Sequence, residues 1–409
     1  MSNPSKTVSF SKFFTESQFE TQEERLAVDN KDKHLLIGVP KENHGIENRV
    51  SLVPNSIRTL VGFGHRVIVQ SEAGDKSNFT DHNFSEAGAK ICHSPEEVFK
   101  ADVIVKVAPP TLEELDMMNN DTIIISPLQL PTLNEKYFEK IKQKNITALA
   151  MEYLQSDDNS FPVVRIMSEM AGMVAIQTAA EYLNNTKGGR GVLLGGVSGV
   201  PPSKVVILGA GVVGEFATKA ALSLGASVRI FDNDISKLMR LQNVIGRQLH
   251  TSTINPVYLA YQLISADVVI GAIHSTHGRT PILITEEMVS KMKDGAVIID
   301  VSIDQGGCVE TSEITTHKNP TFVKHGVIHY CVPNIASKVS RTASVAISNI
   351  ITPLLIKAGN NANIQELLYN SKGVRNGCYA FKGKITNEYI GRRFGFKFTD
   401  LDLILTSKI

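Results

Sequence analysis

An apolar run that leads straight into three closely spaced glycines constrains the fold most: Val205-Val-Ile-Leu-Gly-Ala-Gly-Val-Val-Gly214. A helix-compatible stretch and a second apolar run follow. In a strand–turn–helix unit, Gly209 permits the tight turn and Gly211 lets the backbone approach a pyrophosphate, while Gly214 lets the helix pack closely on the strand. The pattern predicts a Rossmann-type unit that binds a dinucleotide.

The residues around the glycines indicate how that ligand is held. Val212 and Val213 open the helix, whose first N–H groups and positive dipole end favour phosphate. Asp232 ends the second apolar run, where a carboxylate can accept hydrogen bonds from a ribose 2′-hydroxyl and repel a 2′-phosphate. We therefore expect NAD rather than NADP. The alternative is a structural turn in another α/β protein, and the preceding strand together with Asp232 favours the dinucleotide.

Composition narrows the class of protein. A chain of 409 residues exceeds what one core usually serves, so two domains are expected. The net charge of +1, without a long block of one sign, argues against nucleic acid or an anionic membrane as the partner. No apolar run reaches the roughly 18–20 residues of a membrane span, and the N-terminus lacks a secretory pattern. We expect a cytoplasmic protein without a metal site, whose scattered cysteines are free thiols: Cys92, Cys308, Cys331 and Cys378.

Apolar runs that alternate with helical patterns predict an α/β fold: two doubly wound, Rossmann-like parallel-sheet domains with a cleft between them. The expected bounds are an extension at 1–34, a substrate domain at 35–162 and 341–409, and a nucleotide domain at 163–340. A stretch at 167–183 rich in small residues predicts a linking helix that packs tightly against a neighbour. The expected strands are 35–39, 65–70, 103–107, 122–125, 147–150, 205–208, 267–271, 296–300 and 327–330.

Several blocks of the chain resemble the alanine dehydrogenase family, which is related to the nucleotide-binding part of the transhydrogenase α subunit. The blocks are Ile37-Gly-Val-Pro-Lys-Glu-Asn-His-Gly-Ile-Glu-Asn-Arg-Val50, Met167-Ser-Glu-Met-Ala-Gly172, residues 188–214, Ile303-Asp-Gln-Gly-Gly-Cys-Val-Glu310 and His329-Tyr-Cys-Val-Pro-Asn334. The blocks at 188–214 and 303–310 are closer to the dehydrogenase branch. The resemblance implies hydride transfer between NAD and the Cα of L-alanine, which gives pyruvate and ammonia. It also implies a homo-oligomer, either a hexamer or a dimer.

The resemblance assigns roles to four residues. Arg49 falls on the arginine that binds the substrate carboxylate, a task that suits a planar guanidinium. Asp304 and Asn334 fall at the nicotinamide end, and Ser168 falls on a serine that contacts the cofactor. The alternatives are a surface arginine at Arg49, an acid at Asp304 that caps a helix, and a helix cap at Ser168.

Two positions depart from the family pattern. Where the family has Lys-Val-Lys-Glu-Pro, this chain has Lys106-Val-Ala-Pro-Pro110, so that Ala108 replaces the second lysine. Where the family has Leu-His-Leu, the chain has Leu128-Gln-Leu130, and Gln129 cannot take a proton near neutral pH. Strand side chains two apart share a face, so Lys106 is a candidate to reach the same pocket, unless its role is structural.

Three functions therefore remain open for the chain. The first is an NAD-dependent amino-acid dehydrogenase of the alanine type, with a small amino acid and its 2-oxo acid as substrates. The second is a different enzyme on the same frame, either a transhydrogenase-like hydride-transfer component or a dehydrogenase for another amino or imino acid. The third is an NAD-binding protein without catalysis. His274, His277 and His329 are alternative candidates for the base, because they lie near strand ends of the nucleotide domain.

Overall fold

The computed structural model describes residues 34–43, 47–275, 278–360 and 364–406. The predicted extension, apart from His34, lies outside these residues, as does His277. The described chain forms two sheets in which parallel pairs predominate, each flanked by helices. The predicted α/β class with two Rossmann-like sheets is confirmed.

The first sheet combines the early part of the chain with a late return. Within the described residues it has eight strands in the order β15-β14-β6-β5-β4-β1-β2-β3. Strands β1 to β6 pair in parallel, whereas β14 pairs antiparallel with β6, and β15 pairs antiparallel with β14. The strands are β1 (Leu36–Val39), β2 (Arg66–Gln70), β3 (Lys90–Cys92), β4 (Val103–Val105), β5 (Ile123–Ser126), β6 (Thr147–Ala150), β14 (Cys378–Phe381) and β15 (Lys384–Ile385).

The second sheet comes from one continuous stretch of chain. In the described part of the protein it has seven strands in the order β12-β13-β11-β10-β7-β8-β9, and all the pairs are parallel except β12 with β13. Strands β8 and β9 are added on one side of β7, and the later strands are added on its other side, beginning with β10. The point between β7 and β10, where the strand order changes side, is where such folds bind ligands. The strands are β7 (Lys204–Leu208), β8 (Ser227–Phe231), β9 (His250–Ser252), β10 (Val268–Gly271), β11 (Val297–Asp300), β12 (Thr321–Lys324) and β13 (Val327–Tyr330).

Helices cover the faces of the sheets. Those between strands of the first sheet are α1 (Pro54–Gly62), α2 (Asp81–Glu86), α3 (Pro95–Phe99), α4 (Leu112–Met117) and α5 (Glu135–Gln143). The link and the second sheet contribute α6 (Pro162–Tyr182), α7 (Val212–Ser223), α8 (Ile235–Ile245), α9 (Pro256–Ile264) and α10 (Glu286–Ser290). The last helices are α11 (Ser340–Asn360), α12 (Ile364–Asn370), α13 (Lys372–Gly377), α14 (Glu388–Phe394) and α15 (Leu401–Thr406).

Helix α6 packs closely on α7 of the second sheet and also contacts α11, which lies on the first sheet, so it joins the two sheets. A Cβ added to Gly172 would lie 2.4 Å from the Val213 carbonyl oxygen, so only glycine permits this approach. The predicted tight packing of the linking helix is thus confirmed. The helix begins at Pro162, five residues before the predicted start. A proline at the first turn suits a helix start, because its missing N–H would be unpaired there anyway.

Helix α11 holds the segment 47–53 in place. Its serines accept hydrogen bonds from the backbone of that segment: Val50 N donates to Ser344 Oγ at 2.9 Å, and Val53 N donates to Ser348 Oγ at 3.1 Å. By length and composition, residues 335–358 could also cross a membrane. However, Ile347, Ile351 and Leu355 lie in the core of the first sheet, so this is a core helix.

Candidate active site

A cavity of about 620 Å³ lies between the two sheets and is lined from both. Most of the predicted site residues line it, namely Arg49, Gln129, Ser168, Gly211, Val212, Val213, Asp304 and Asn334. The others are not among the residues that line it: Lys106, Gly209, Gly214 and Asp232. Apolar side chains such as Met151, Val163 and Ile347 form much of the rest of the lining. The cavity therefore combines a cationic group from one sheet with a glycine loop from the other.

The glycine loop has the shape that a dinucleotide requires. Strand β7 ends at Leu208, and Gly209 turns the chain with a φ of +105°, in the region that favours glycine. A Cβ on Gly214 would lie 1.9 Å from the Gly209 carbonyl oxygen, whereas a Cβ on Gly211 would meet nothing within 4 Å. Gly211 then caps α7, whose first N–H groups point out of the helix end. These residues fit the pyrophosphate of a dinucleotide.

Asp232 follows β8 and is fixed against that loop. Its Oδ2 accepts a hydrogen bond from Ala210 N at 2.7 Å, and its Oδ1 accepts one from Asp234 N at 2.8 Å. Only 8% of the residue is exposed. Each carboxylate oxygen keeps a second lone pair, so the group can still accept hydrogen bonds from a ribose.

Arg49 is held by a carboxylate that the sequence analysis did not single out. Glu47 accepts hydrogen bonds from Arg49 Nε at 2.8 Å, from Nη2 at 2.6 Å and from the Arg49 backbone N at 2.9 Å. Nη1 lies 3.1 Å from Met167 Sδ at the cavity wall. Burial alone would raise the pKa of Glu47, but the bonds and charge of Arg49 overcome it and hold that pKa below its ordinary value. The position of this acid, two residues before Arg49 in the sequence, could have identified Glu47 as a partner of Arg49.

Asp304 and Asn334 lie next to each other in the lining of the cavity. Asp304 lies in a short 3-10 turn, 301–305, and its Oδ1 accepts a hydrogen bond from Asn334 N at 3.1 Å. The carboxyl is accessible from the cavity, but the surrounding protein displaces bulk water and raises its pKa, against the opposing effects of the Asn334 bond and the Arg49 charge. Asp300, not Asp304, caps this turn, so the capping alternative for Asp304 is wrong.

Gln129 occupies the wall near a second acid, Glu152, which the sequence analysis missed. Gln129 adopts a left-handed conformation with a φ of +43°. Glu152 Oε1 accepts hydrogen bonds from Leu128 N at 2.7 Å and Gln129 N at 3.4 Å, and its buried Oε2 has no partner among the described residues. Burial raises the pKa of Glu152. Its position just after β6, at the carboxyl edge of a parallel sheet, was the signal that could have identified it.

Lys106 is not brought to the cavity. Strand β4 ends at Val105, so the alternation of strand faces does not extend to Lys106, and it is Val107 that lines the cavity instead. Lys106 Nζ lies 3.0 Å from carboxylate oxygens of both Glu42 and Glu114, and 2% of the side chain is exposed. Burial alone would lower the pKa of Lys106, but the two carboxylates raise it above the ordinary value.

The remaining candidates separate clearly. Ser168 lies inside α6, whose N-cap is Phe161, so the helix-cap alternative for Ser168 is wrong. His274 lines the cavity and is exposed. His329 is fully buried, with hydrogen bonds to Thr311 Oγ1 at 2.7 Å and to Val327 O at 3.0 Å, which is typical of a core histidine. The described residues contain no group of three or more His, Cys, Asp or Glu side chains placed to hold a metal ion.

Comparison with known proteins places this site in a family. The chain matches the family models described as the alanine dehydrogenase/PNT N-terminal domain, over residues 38–171, and C-terminal domain, over residues 175–388. Alanine dehydrogenase from Bacillus subtilis (strain 168) is 40% identical over 372 residues, which is 91% of this chain and 98% of that protein. Alanine dehydrogenase 2 from Staphylococcus aureus (strain USA300) is 37% identical over 90% of this chain and 99% of its own length.

Solved structures agree with the sequence relatives. An L-alanine dehydrogenase matches with a TM-score of 0.83 and 36% identity, over 88% of this chain and 99% of that chain. A transhydrogenase from Sinorhizobium meliloti matches with a TM-score of 0.74 over 87% and 99% of the two chains; at 24% identity it shows a shared fold alone. With both domain models matched and relatives aligned over nine-tenths of its length, the chain belongs to the alanine dehydrogenase/PNT family.

Proposed function

We propose that this chain is an NAD-dependent alanine dehydrogenase, which reversibly converts L-alanine, NAD and water to pyruvate, ammonia and NADH. One observation carries the proposal. A single cavity places the Arg49 guanidinium and the Asp304 carboxyl together with the glycine loop at Gly211. A carboxylate anchor and a dinucleotide loop in one cleft suit a reaction at the Cα of an amino acid. The family membership supports the same reaction.

The cofactor contacts follow from the loop. Gly211, Val212 and Val213 would hold the pyrophosphate and Asp232 the adenosine ribose, and Ser168 would donate a hydrogen bond to the cofactor. NAD, when bound, supplies the hydride acceptor for the substrate Cα. The protein contributes an apolar wall that excludes water, with Met151 and Val163 among its members. A dry wall strengthens the electrostatic contacts that orient the substrate.

The substrate contacts come from the other side. Glu47 occupies the Nε–Nη2 edge of Arg49, so the outer N–H groups on Nη1 and Nη2 are left for the substrate carboxylate. That edge can bind both carboxylate oxygens and so fix the Cα in place. Asp304, with its raised pKa, can exchange a proton with the ammonia or water that enters and leaves. Asn334 orients Asp304 through its backbone N–H.

The two departures favour a second candidate, a dehydrogenase for another amino or imino acid. Ala108 and Gln129 remove a cation and a titratable group from the family pattern, and neither replacement can move a proton. A transhydrogenase-like component and an NAD-binding protein without turnover stay as further alternatives. Lys106 remains a catalytic candidate only by proximity in sequence, since its amine is paired with Glu42 and Glu114.

The deciding experiment is a screen of 2-amino acids with NAD, and of 2-oxo acids with ammonia and NADH, read at the nicotinamide absorbance. Oxidation of L-alanine above all other acids is expected. Arg49→Lys is the matched variant, because it keeps the charge but loses the two-pronged contact, and it should raise the alanine KM without changing the NADH affinity. Preference for another acid would support the second candidate. Tight NAD binding without turnover of any acid would support an NAD-binding protein without catalysis.

We also propose a homo-oligomer, a hexamer or a dimer, in the cytoplasm, and keep the domain bounds at 35–162 with 341–409 and at 163–340. Exposed apolar side chains support the oligomer. Val257, Tyr261 and Ile264 form one face of α9 and are between 50% and 80% exposed. A soluble monomer rarely leaves such a face uncovered. Light scattering on the purified protein tests the oligomer.

A further inference from the structure

Glu47 has more partners than a carboxylate that only neutralises a buried arginine would need. Besides its three bonds from Arg49, its Oε2 accepts a hydrogen bond from Asn334 Nδ2 at 2.8 Å. Its Oε1 accepts another from Ser337 Oγ at 3.0 Å. Only 3% of Glu47 is exposed. The side chain is therefore fixed from both sides, by its own segment and by the segment that precedes α11.

These bonds form a continuous path from Arg49 to Asp304. Arg49 donates to Glu47, Asn334 donates to Glu47 through its side chain, and Asn334 donates to Asp304 through its backbone N. Every link is between 2.6 and 3.1 Å. Asn334 reaches both neighbours because it adopts a left-handed conformation, with a φ of +57°, which asparagine tolerates better than most residues. The path joins the proposed carboxylate anchor to the acid at the nicotinamide end.

We propose that Glu47 is a positioning residue that fixes the Arg49 guanidinium for the substrate carboxylate and, through Asn334, sets its place relative to Asp304. The inference rests on the proposed function. Glu47 binds the Nε–Nη2 edge, so the guanidinium cannot rotate and its outer edge faces the cavity before the substrate arrives. Preorganised contacts of this kind lower the cost of binding. The pair is also neutral as a whole, which allows Arg49 to stay buried when no substrate is present.

Glu47→Gln tests the proposal because it keeps the shape and removes the charge. Both Glu47 oxygens accept hydrogen bonds from Arg49, so in either orientation the new amide N–H₂ faces an N–H of Arg49. The guanidinium therefore loses one of its two acceptors. The KM for L-alanine and for pyruvate should rise about 10- to 100-fold, as expected when a hydrogen bond to a charged group is lost. NADH affinity, measured by fluorescence titration, should stay within about twofold. Glu47→Asp should recover part of the loss, since it restores a carboxylate.

Ser348→Ala is the matched control. It removes the hydroxyl that accepts a hydrogen bond from Val53 N, in the same segment 47–53 but six residues after Glu47. It should lower the melting temperature and leave the alanine KM unchanged. If Glu47→Gln does not fold, Asn334→Ala breaks the same path from the other end. The double variant of Glu47→Gln with Asn334→Ala should be no worse than the more impaired single variant, because both act on one path.

A second assay separates failure of this inference from failure of the proposed function. Oxamate, an unreactive isostere of pyruvate, is titrated into the NADH complex of each variant. Weaker oxamate binding in Glu47→Gln, with unchanged binding in Ser348→Ala, supports the inference. If the wild-type protein binds oxamate in this way but does not oxidise alanine, only the proposed function is refuted. Unchanged alanine KM and oxamate binding in Glu47→Gln would overturn the inference alone. A wild-type protein that neither oxidises alanine nor binds oxamate would overturn both.

Discussion

Lys106→Met separates a structural lysine from a catalytic one. The sequence suggests that Lys106 can stand in for the lysine that Ala108 replaces, whereas the structure pairs its amine with Glu42 and Glu114. Methionine keeps most of the stem and its packing, so the change mainly removes the charge. Loss of a buried ion pair lowers the melting temperature, whereas loss of a catalytic amine lowers the turnover of alanine. The two measurements therefore distinguish the two roles of the Lys106 charge.

The structural role predicts a large loss of stability. Glu42 is 4% exposed, and Lys106 is its cationic partner at 3.0 Å, so Lys106→Met strands a buried carboxylate. Breaking a buried pair from one side typically costs about 3–5 kcal/mol. At roughly 2–4 °C per kcal/mol for a domain of this size, the melting temperature should fall by about 6–20 °C. Adding Glu42→Gln should recover much of the loss, because no buried charge then remains.

The assay is thermal unfolding together with alanine turnover per folded molecule well below the transition. Lys90→Met is the control, because Lys90 pairs with Glu97 on an exposed surface and should change little. The raised pKa of Lys106 means that its contribution to stability is fully present below the unfolded pKa of about 10.4 and is lost as the pH rises through the folded value. The contribution of the lysine charge itself should therefore not change below about pH 9. An unchanged melting temperature with turnover reduced about 10²–10⁴-fold would refute this reasoning and make Lys106 a catalytic group.

Three further outcomes are expected. Asp232→Ala should weaken NADH binding by about 1–3 kcal/mol in a fluorescence titration and reduce the preference over NADPH; equal affinities of the wild-type protein for both cofactors would contradict the assignment. Ala108→Lys with Gln129→His should raise alanine kcat/KM, by up to about 10²–10⁴-fold if the frame is intact, and no gain in steady-state assays would show that the site uses other groups. Burial raises the folded pKa of Glu152, so this carboxyl favours folding most below its unfolded pKa and disfavours it as the pH rises through the folded pKa. Glu152→Gln should therefore stabilise the protein at neutral pH. If the variant's melting temperature differs from that of the wild type by the same amount at pH 4 and at pH 7.5, this reasoning is contradicted.

The local chemistry of the chain determined the nucleotide loop. Gly209, Gly211 and Gly214 can be interpreted from spacing alone, because a tight turn and a close backbone approach depend on residues within a few positions of one another. The same holds for β6 and β13, whose runs of apolar residues match the predicted bounds. Strands such as β12, β14 and β15 were not predicted. They are short and pair antiparallel, so their partners, rather than their own composition, make them strands.

The polar network of the site was decided by the tertiary structure. The sequence pointed to Arg49, Asp304 and Asn334 separately, but only folding brings the chain at 47 next to the chain at 334, 287 residues later. Glu47 and Glu152 acquire their meaning from burial and from partners that a local pattern cannot reveal. Lys106 was expected to reach the cavity from the alternation of strand faces, but β4 ends before it. The direction of the Lys106 side chain is instead set by Glu42 and Glu114, which lie on other parts of the chain. Local backbone preferences therefore determined the elements, and long-range pairing of buried charges determined which side chains face the cavity.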